Sequence, residues 1–148
     1  MDVRRMTGRM AAALGALVMA GGIAGCSEEA SLFDLEVGDC FNSSDIASEK
    51  ILNVDVLECS EAHDIEIYAS GALEGEEFPG RDGASQWAET YCYEQFEGFV
   101  GIPYEQSALV FNWIYPTSDT WESHGDREVL CLPQSPQPVT GSLRGSAR

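Results

Sequence analysis

Cys40, Cys59, Cys92 and Cys131 constrain this chain more than any other feature. An even set of thiols spread over a short body reads as a disulfide framework when the protein folds in an oxidising compartment. The fifth cysteine, Cys26, points to such a compartment. It closes an uncharged run from Met10 to Ala24, which follows Arg4, Arg5 and Arg9 and precedes the polar stretch Ser27-Glu28-Glu29. A basic start, a short apolar middle and small residues before a cut make a secretory signal peptide over residues 1–25. Ile23-Ala24-Gly25-Cys26 has the form of a bacterial lipobox, in which Cys26 accepts a thioether-linked lipid and becomes the mature N-terminus. The run is shorter than the roughly 20 residues a helix needs to span a bilayer. Gly15, Gly21, Gly22 and Gly25 also suit a cleaved segment better than a spanning one. The expected location is therefore the extracytoplasmic face of the cell membrane, with the chain held there by acyl chains.

Four cysteines allow three connectivities, and the sequence by itself does not choose among them. The expected pairing is Cys40 with Cys59, closing a short loop between neighbouring strands, and Cys92 with Cys131, stapling a helix to the last strand. A cysteine metal site is disfavoured by the lack of any C-x-x-C pair.

The charge balance excludes whole classes of partner. Twenty-five acidic residues stand against eight basic ones, a formal charge of −17, and Arg4, Arg5 and Arg9 leave with the signal peptide. Nucleic-acid binding needs clustered Lys and Arg, and so does docking on anionic lipid headgroups. Solubility is the first meaning of such acidity.

Residues 26–31 form a polar tether that reaches only about 20 Å even when extended, so the body sits near the membrane. The globular domain is expected over 32–132. Leu32 to Val37 reads as an opening strand, ended by Gly38-Asp39. Leu52, Val54 and Val56 alternate with polar residues, as do Ile65, Ile67 and Ala69. Two half-buried strands follow, joined as a hairpin through Ser60-Glu61-Ala62-His63. Ala84, Trp87, Ala88, Tyr91, Cys92, Gln95, Phe96 and Phe99 recur at three- and four-residue steps, one face of a helix from about Asp82 to Val100. Asp82 is expected to cap it, Gly101 and Pro103 to stop it, and Trp87 to lie in the core. Leu109 to Tyr115 reads as a strand, Thr117-Ser118-Asp119 opens a helical turn around Trp121, and Arg127 to Leu132 is the last strand. Residues 133–148, rich in Pro, Ser and Gly, are expected to be a poorly ordered tail. The fold class is α+β: a small antiparallel sheet packed on one main helix, disulfide-stapled, with its other face partly open.

With these elements in order, the chain resembles the actinobacterial septum-formation domain family, as an exported lipoprotein member. The resemblance covers about Asp34 to Gly145. It is carried by Asp34-Leu35-Glu36-Val37-Gly38-Asp39-Cys40-Phe41 and by Val56-Leu57-Glu58-Cys59-Ser60-Glu61-Ala62-His63-Asp64-Ile65-Glu66-Ile67-Tyr68. Phe78-Pro79-Gly80, Cys92, and Tyr115-Pro116-Thr117 with Trp121 extend it. Gly125-Asp126-Arg127-Glu128-Val129-Leu130-Cys131 and Thr140-Gly141-Ser142-Leu143-Arg144-Gly145 complete it. Ala62 departs from the Pro common in the family at that place. The resemblance implies a link to division or envelope growth and no established reaction.

Candidate chemistry is sparse. Both histidines adjoin aspartates, in His63-Asp64 and His124-Gly125-Asp126. If the turns met, His63, Asp64, His124 and Asp126 could hold a divalent metal or supply a base for metal-assisted hydrolysis. The competing reading is that His63 and Asp64 organise a turn, and that Asp126 and Arg127 form an ion pair holding the last strand. No H-E-x-x-H pair, G-x-S-x-G elbow, phosphate-cradling glycine loop or calcium loop occurs. Trp113, Tyr115 and Trp121, at a strand end and a turn, are a candidate binding surface for sugars or protein partners; the competing and favoured reading is core and edge packing, given a small domain's need for apolar mass. The reading that results is a non-catalytic envelope module without cofactor, binding a protein or cell-wall glycan, with a metal-assisted hydrolase as the alternative.

Overall fold

A computed structural model describes residues 28–48 and 53–148, so the signal peptide and Cys26 lie outside the described residues. The elements run β1 (Glu28–Ser31), β2 (Cys40–Phe41), β3 (Asn53–Val56), β4 (His63–Glu66), β5 (Ala69–Ala72), α1 (Gly80–Val100), β6 (Val110–Ile114), α2 (Ser118–Ser123) and β7 (Glu128–Val139). Short 3-10 turns lie at Leu32–Asp34, Ser43–Ile46 and Tyr104–Gln106. This is the α+β arrangement expected.

β7 organises the sheet. Gln134 pairs with both Ile65 and Val110, and Cys131 with both Ala69 and Trp113, so β4 and β5 line one edge of β7 and β6 lines the other. All these pairings are antiparallel. Side chains alternate across a strand, and β7 uses both faces. Val129 and Cys131 enter the cluster beneath α1, whereas Leu130 and Leu132 enter a second cluster with Leu35, Phe41, Val54, Ile65 and Ile67. That second layer covers the sheet face expected to stay partly open. The unbroken apolar run from Val129 to Leu132 already encodes burial on both sides.

The expected hairpin does not form. β3 pairs with β1, while β4 pairs with β2 and β7. His63, Ile65 and Glu66 are all buried, so β4 needs a neighbour on each edge and occupies an interior position. The opening strand also shifts: β1 ends at Ser31, whose hydroxyl accepts from the Phe33 N–H and starts a 3-10 turn. Leu35 is buried, but Phe33 and Val37 are exposed.

α1 buries Ala84, Ala88, Cys92, Phe96 and Phe99, the expected stripe. Its N-cap position is Pro79, with no side-chain cap; Asp82 lies in the first turn, where negative charge suits the helix dipole. Gly101 ends the helix at φ 92°, a left-handed conformation glycine adopts without a Cβ penalty.

Cys40 is bonded to Cys59 and Cys92 to Cys131. The second bridge joins the middle of α1 to β7. The Tyr68 hydroxyl donates to the Cys92 carbonyl at 2.6 Å, and burial pushes that phenol well above its usual range, so it stays a donor.

Residues 133–148 are not a loose tail. β7 runs to Val139, and between His63 and Ile65 of β4 its register shifts by a bulge that contains Pro136 and Pro138. Prolines, which donate nothing to a ladder, are tolerated at bulges. The chain then returns along the body. The Ser142 hydroxyl and the Leu143 N–H both donate to the buried Glu66 carboxylate, at 2.7 and 2.6 Å. Gly145 and Ala147 donate to the Phe99 and Val100 carbonyls at the end of α1, where a helix leaves acceptors unsatisfied. Leu143 is 1% exposed, within the core under α1.

Two outcomes follow from this packing. Leu143→Ala should lower unfolding free energy by about 2–5 kcal/mol in denaturant titration; a change under a few tenths would return the segment to the status of a tail. Replacing both Cys92 and Cys131 by Ser should cost about 4 kcal/mol, and replacing Cys40 and Cys59 about 3, from the loop lengths closed.

Candidate functional site

The histidine–aspartate constellation does not assemble. His63 is buried on β4, with Nδ1 2.9 Å from the Glu61 carbonyl. Asp64 accepts from the Ser43 N–H and hydroxyl, both at 2.6 Å, and so fastens the turn that begins there. His124 is exposed at the end of α2, stacked on Phe33 with ring centroids 5.2 Å apart. Asp126 accepts from the Glu128 N–H at 3.0 Å. Among the described residues, the grouping within metal-ligand reach is Cys40, Cys59 and Glu66, and its sulfurs are spent in a disulfide rather than present as thiolates. The expected Asp126–Arg127 ion pair is also replaced. Arg127 donates to the backbone carbonyls of Trp121 and Asp126, at 3.1 and 2.9 Å.

The three aromatics separate into different roles. Trp121 is 3% exposed and therefore no contact surface. Its indole N–H donates to the Glu76 carbonyl at 3.1 Å, Phe78 packs on it at 5.7 Å between centroids, and the Arg127 guanidinium lies 3.4 Å above its ring. Trp121 thus holds the segment before α1 in place. The sequence that puts it there is a capped turn: the Thr117 hydroxyl accepts from the Thr120 N–H and the Thr120 hydroxyl from the Thr117 N–H, opening α2. Trp113 is half-buried on β6, with its indole N–H 3.3 Å from the Ser85 hydroxyl. Tyr115, also half-buried, lines a cavity.

Two cavities flank the Glu74–Arg81 segment. One, of about 430 Å³, is lined by Ala72, Leu73, Glu74, Pro79, Gly83 and Trp87. Trp87, expected in the core, is half-buried and forms a wall of this cavity, stacked on Tyr91 at 5.0 Å. Gly71 of β5 permits that approach, since a Cβ there would stand 2.8 Å from the Tyr91 ring and 2.9 Å from Trp87. The Tyr91 hydroxyl donates to the Ser70 carbonyl at 2.7 Å, covering part of the β5 backbone.

The other cavity, of about 210 Å³, is lined by Phe78, Arg81, Tyr115, Pro116, Thr117 and Ser118. Arg81 is exposed and has no hydrogen bond or ion pair among the described residues, although the chain carries 25 acidic side chains. The Tyr115 hydroxyl and the Ser118 side chain also have no partner among them. An apolar wall with a few convergent, unengaged polar groups is the usual make-up of a small-ligand site. Of the lining residues, sequence reading had singled out Tyr115 as a contact; Phe78 and Arg81 were missed. Arg81 left a signal, as the one basic residue between Lys50 and Arg127.

A family model described as septum formation matches residues 15–146. No curated protein and no solved structure matches.

Trp121→Phe keeps an aromatic ring, though a smaller one, and removes the donor to the Glu76 carbonyl. It should lower stability by about 1–3 kcal/mol and speed proteolysis within the Glu74–Gly80 segment; unchanged cleavage there would mean that the segment is held by something else.

Proposed function

The chain belongs to the septum-formation family, and from that premise we propose that it is a non-catalytic binding module of the cell envelope. One observation carries the reading: the smaller cavity offers Phe78 and Tyr115 as apolar walls and Arg81 as an unengaged cation, on a frame fixed by the Cys92–Cys131 bridge. These groups can grip a ligand. Among the described residues that line the cavity, no hydroxyl stands with a carboxylate or imidazole base, and binding is the chemistry these groups support.

The place of work follows from the sequence. The lipobox ending at Cys26 tethers the body to the outer face of the cytoplasmic membrane, and no helix among the described residues is long and apolar enough to cross one. β1 begins at Glu28, two positions after Cys26, so a lipid on that thiol leaves only a short link between the membrane and the domain. The partner we assign is a cell-wall component within that reach, and the process is the septum formation for which the family is described.

Cell fractionation combined with sedimentation on isolated wall sacculi tests this. The full chain should fractionate with membranes and co-sediment with sacculi. Cys26→Ala should leave the membrane fraction and still co-sediment. Membrane retention of the variant would contradict the lipid anchor, and failure of both proteins to sediment would contradict the binding module.

A further inference from the structure

We propose that the cavity between Phe78, Arg81, Tyr115 and Ser118 binds a sugar ring bearing a single carboxylate. This rests on the wall-binding reading and names the ligand class for it.

Size comes first. At about 210 Å³ the cavity lies below the roughly 300–1,000 Å³ of drug-sized ligand sites, a size that suits one small ring with its substituents. Its walls come next. Phe78 and Tyr115 are flat and rigid, and flat aromatic faces pack against the C–H face of a sugar at little entropic expense. Phe78 is set in place from behind by Trp121, so its ring is already ordered before a ligand arrives. The Tyr115 and Ser118 hydroxyls, without partners among the described residues, match ring hydroxyls as donors and acceptors.

Arg81 decides the charge. Two other arginines of the described body are engaged: Arg127 lies on the Trp121 ring and donates to two carbonyls, and Arg144 lies 4.6 Å over the Phe99 ring, while the guanidinium of the last residue, Arg148, is exposed away from the cavity lining. Arg81 makes none of these contacts. A guanidinium offers a planar fork that matches a carboxylate in a bidentate contact. It also matches a phosphate. The overall field separates the two, because a chain of formal charge −17 repels a phosphate, with its nearly doubled charge, about twice as strongly as a carboxylate. A contact pair in the cavity outlasts that diffuse repulsion, which salt screens beyond about 8 Å.

Sugars with a free carboxylate reach an envelope protein from two sources, the lactyl-substituted amino sugar of the wall where its stem peptide has been removed, and uronic acids of other polysaccharides. Isothermal titration of the detergent-solubilised full chain with N-acetylmuramic acid, glucuronic acid and N-acetylglucosamine separates them. At least one acid should bind about tenfold more tightly than the neutral sugar, the effect of one charge-assisted contact, and the tighter acid identifies the source. Arg81→Gln, at an exposed position, should abolish that preference without changing the melting temperature. Glu74→Gln, in the larger cavity, should leave it intact. Equal affinity for acidic and neutral sugars, an unchanged preference in Arg81→Gln, or no binding of either acid would overturn the proposal. If sacculi still bind in that last case, the wall module stands and this cavity is not its site; if they do not, both fall together.

Discussion

The bond between Cys92 and Cys131 is the constraint on which the rest of this structure depends. It joins the centre of α1 to the strand that pairs with β4, β5 and β6, so the helix can neither slide along the sheet nor roll off it. Tyr68 repeats the connection with a hydrogen bond to the carbonyl of the same Cys92. Once α1 is fixed at its middle, its ends become dependable platforms. Its C-terminal carbonyls receive the returning segment at Gly145 and Ala147, and its first turn presents Arg81 beside Phe78. Small domains bury too little surface to hold such geometry by packing alone, and cross-links restrict the unfolded chain instead.

The Glu66 carboxylate plays a similar part for the second layer. It lies beside the Cys40–Cys59 bridge in the pairing of β2 with β4, and its two oxygens take the Ser142 hydroxyl and the Leu143 N–H. A buried carboxylate without donors would be strongly unfavourable. The C-terminal segment therefore belongs to the fold: it supplies the donors that Glu66 lacks within its own strand.

How much of this was legible in the sequence depended on whether the signal was local. The α1 stripe from Ala84 to Phe99 and the capped turn before Trp121 are written in spacing, and the structure has both. The disulfide pairing was readable only through the elements that carry the cysteines. Local alternation could place β3 and β4 as strands but not choose their neighbours, because β4 is buried at His63 and Ile65 on one face and at Glu66 on the other. The segment after Leu132 was misread because Pro133, Pro136 and Pro138 look like linker; a bulge hides that meaning. Trp121 took the packing reading over the surface one, and Trp87, expected in the core, is half-buried. Composition marks an aromatic as buriable, but only the packing of Glu76 and Phe78 on one side, and of Gly71 on the other, decides which indole goes inside. Arg81 was visible as an isolated cation, and its lack of a partner was not.

The functional account joins a tether at the membrane to a cavity whose polar groups remain unengaged. Its central claim is that the wall ligand sits between the Phe78–Arg81 and Tyr115–Ser118 segments. Amide hydrogen exchange of the full chain, with and without solubilised wall polymer, tests this most directly. The account predicts slowed exchange confined to those two segments, with the rest of α1 unchanged. Protection centred elsewhere, such as around Phe33 and His124, would contradict it.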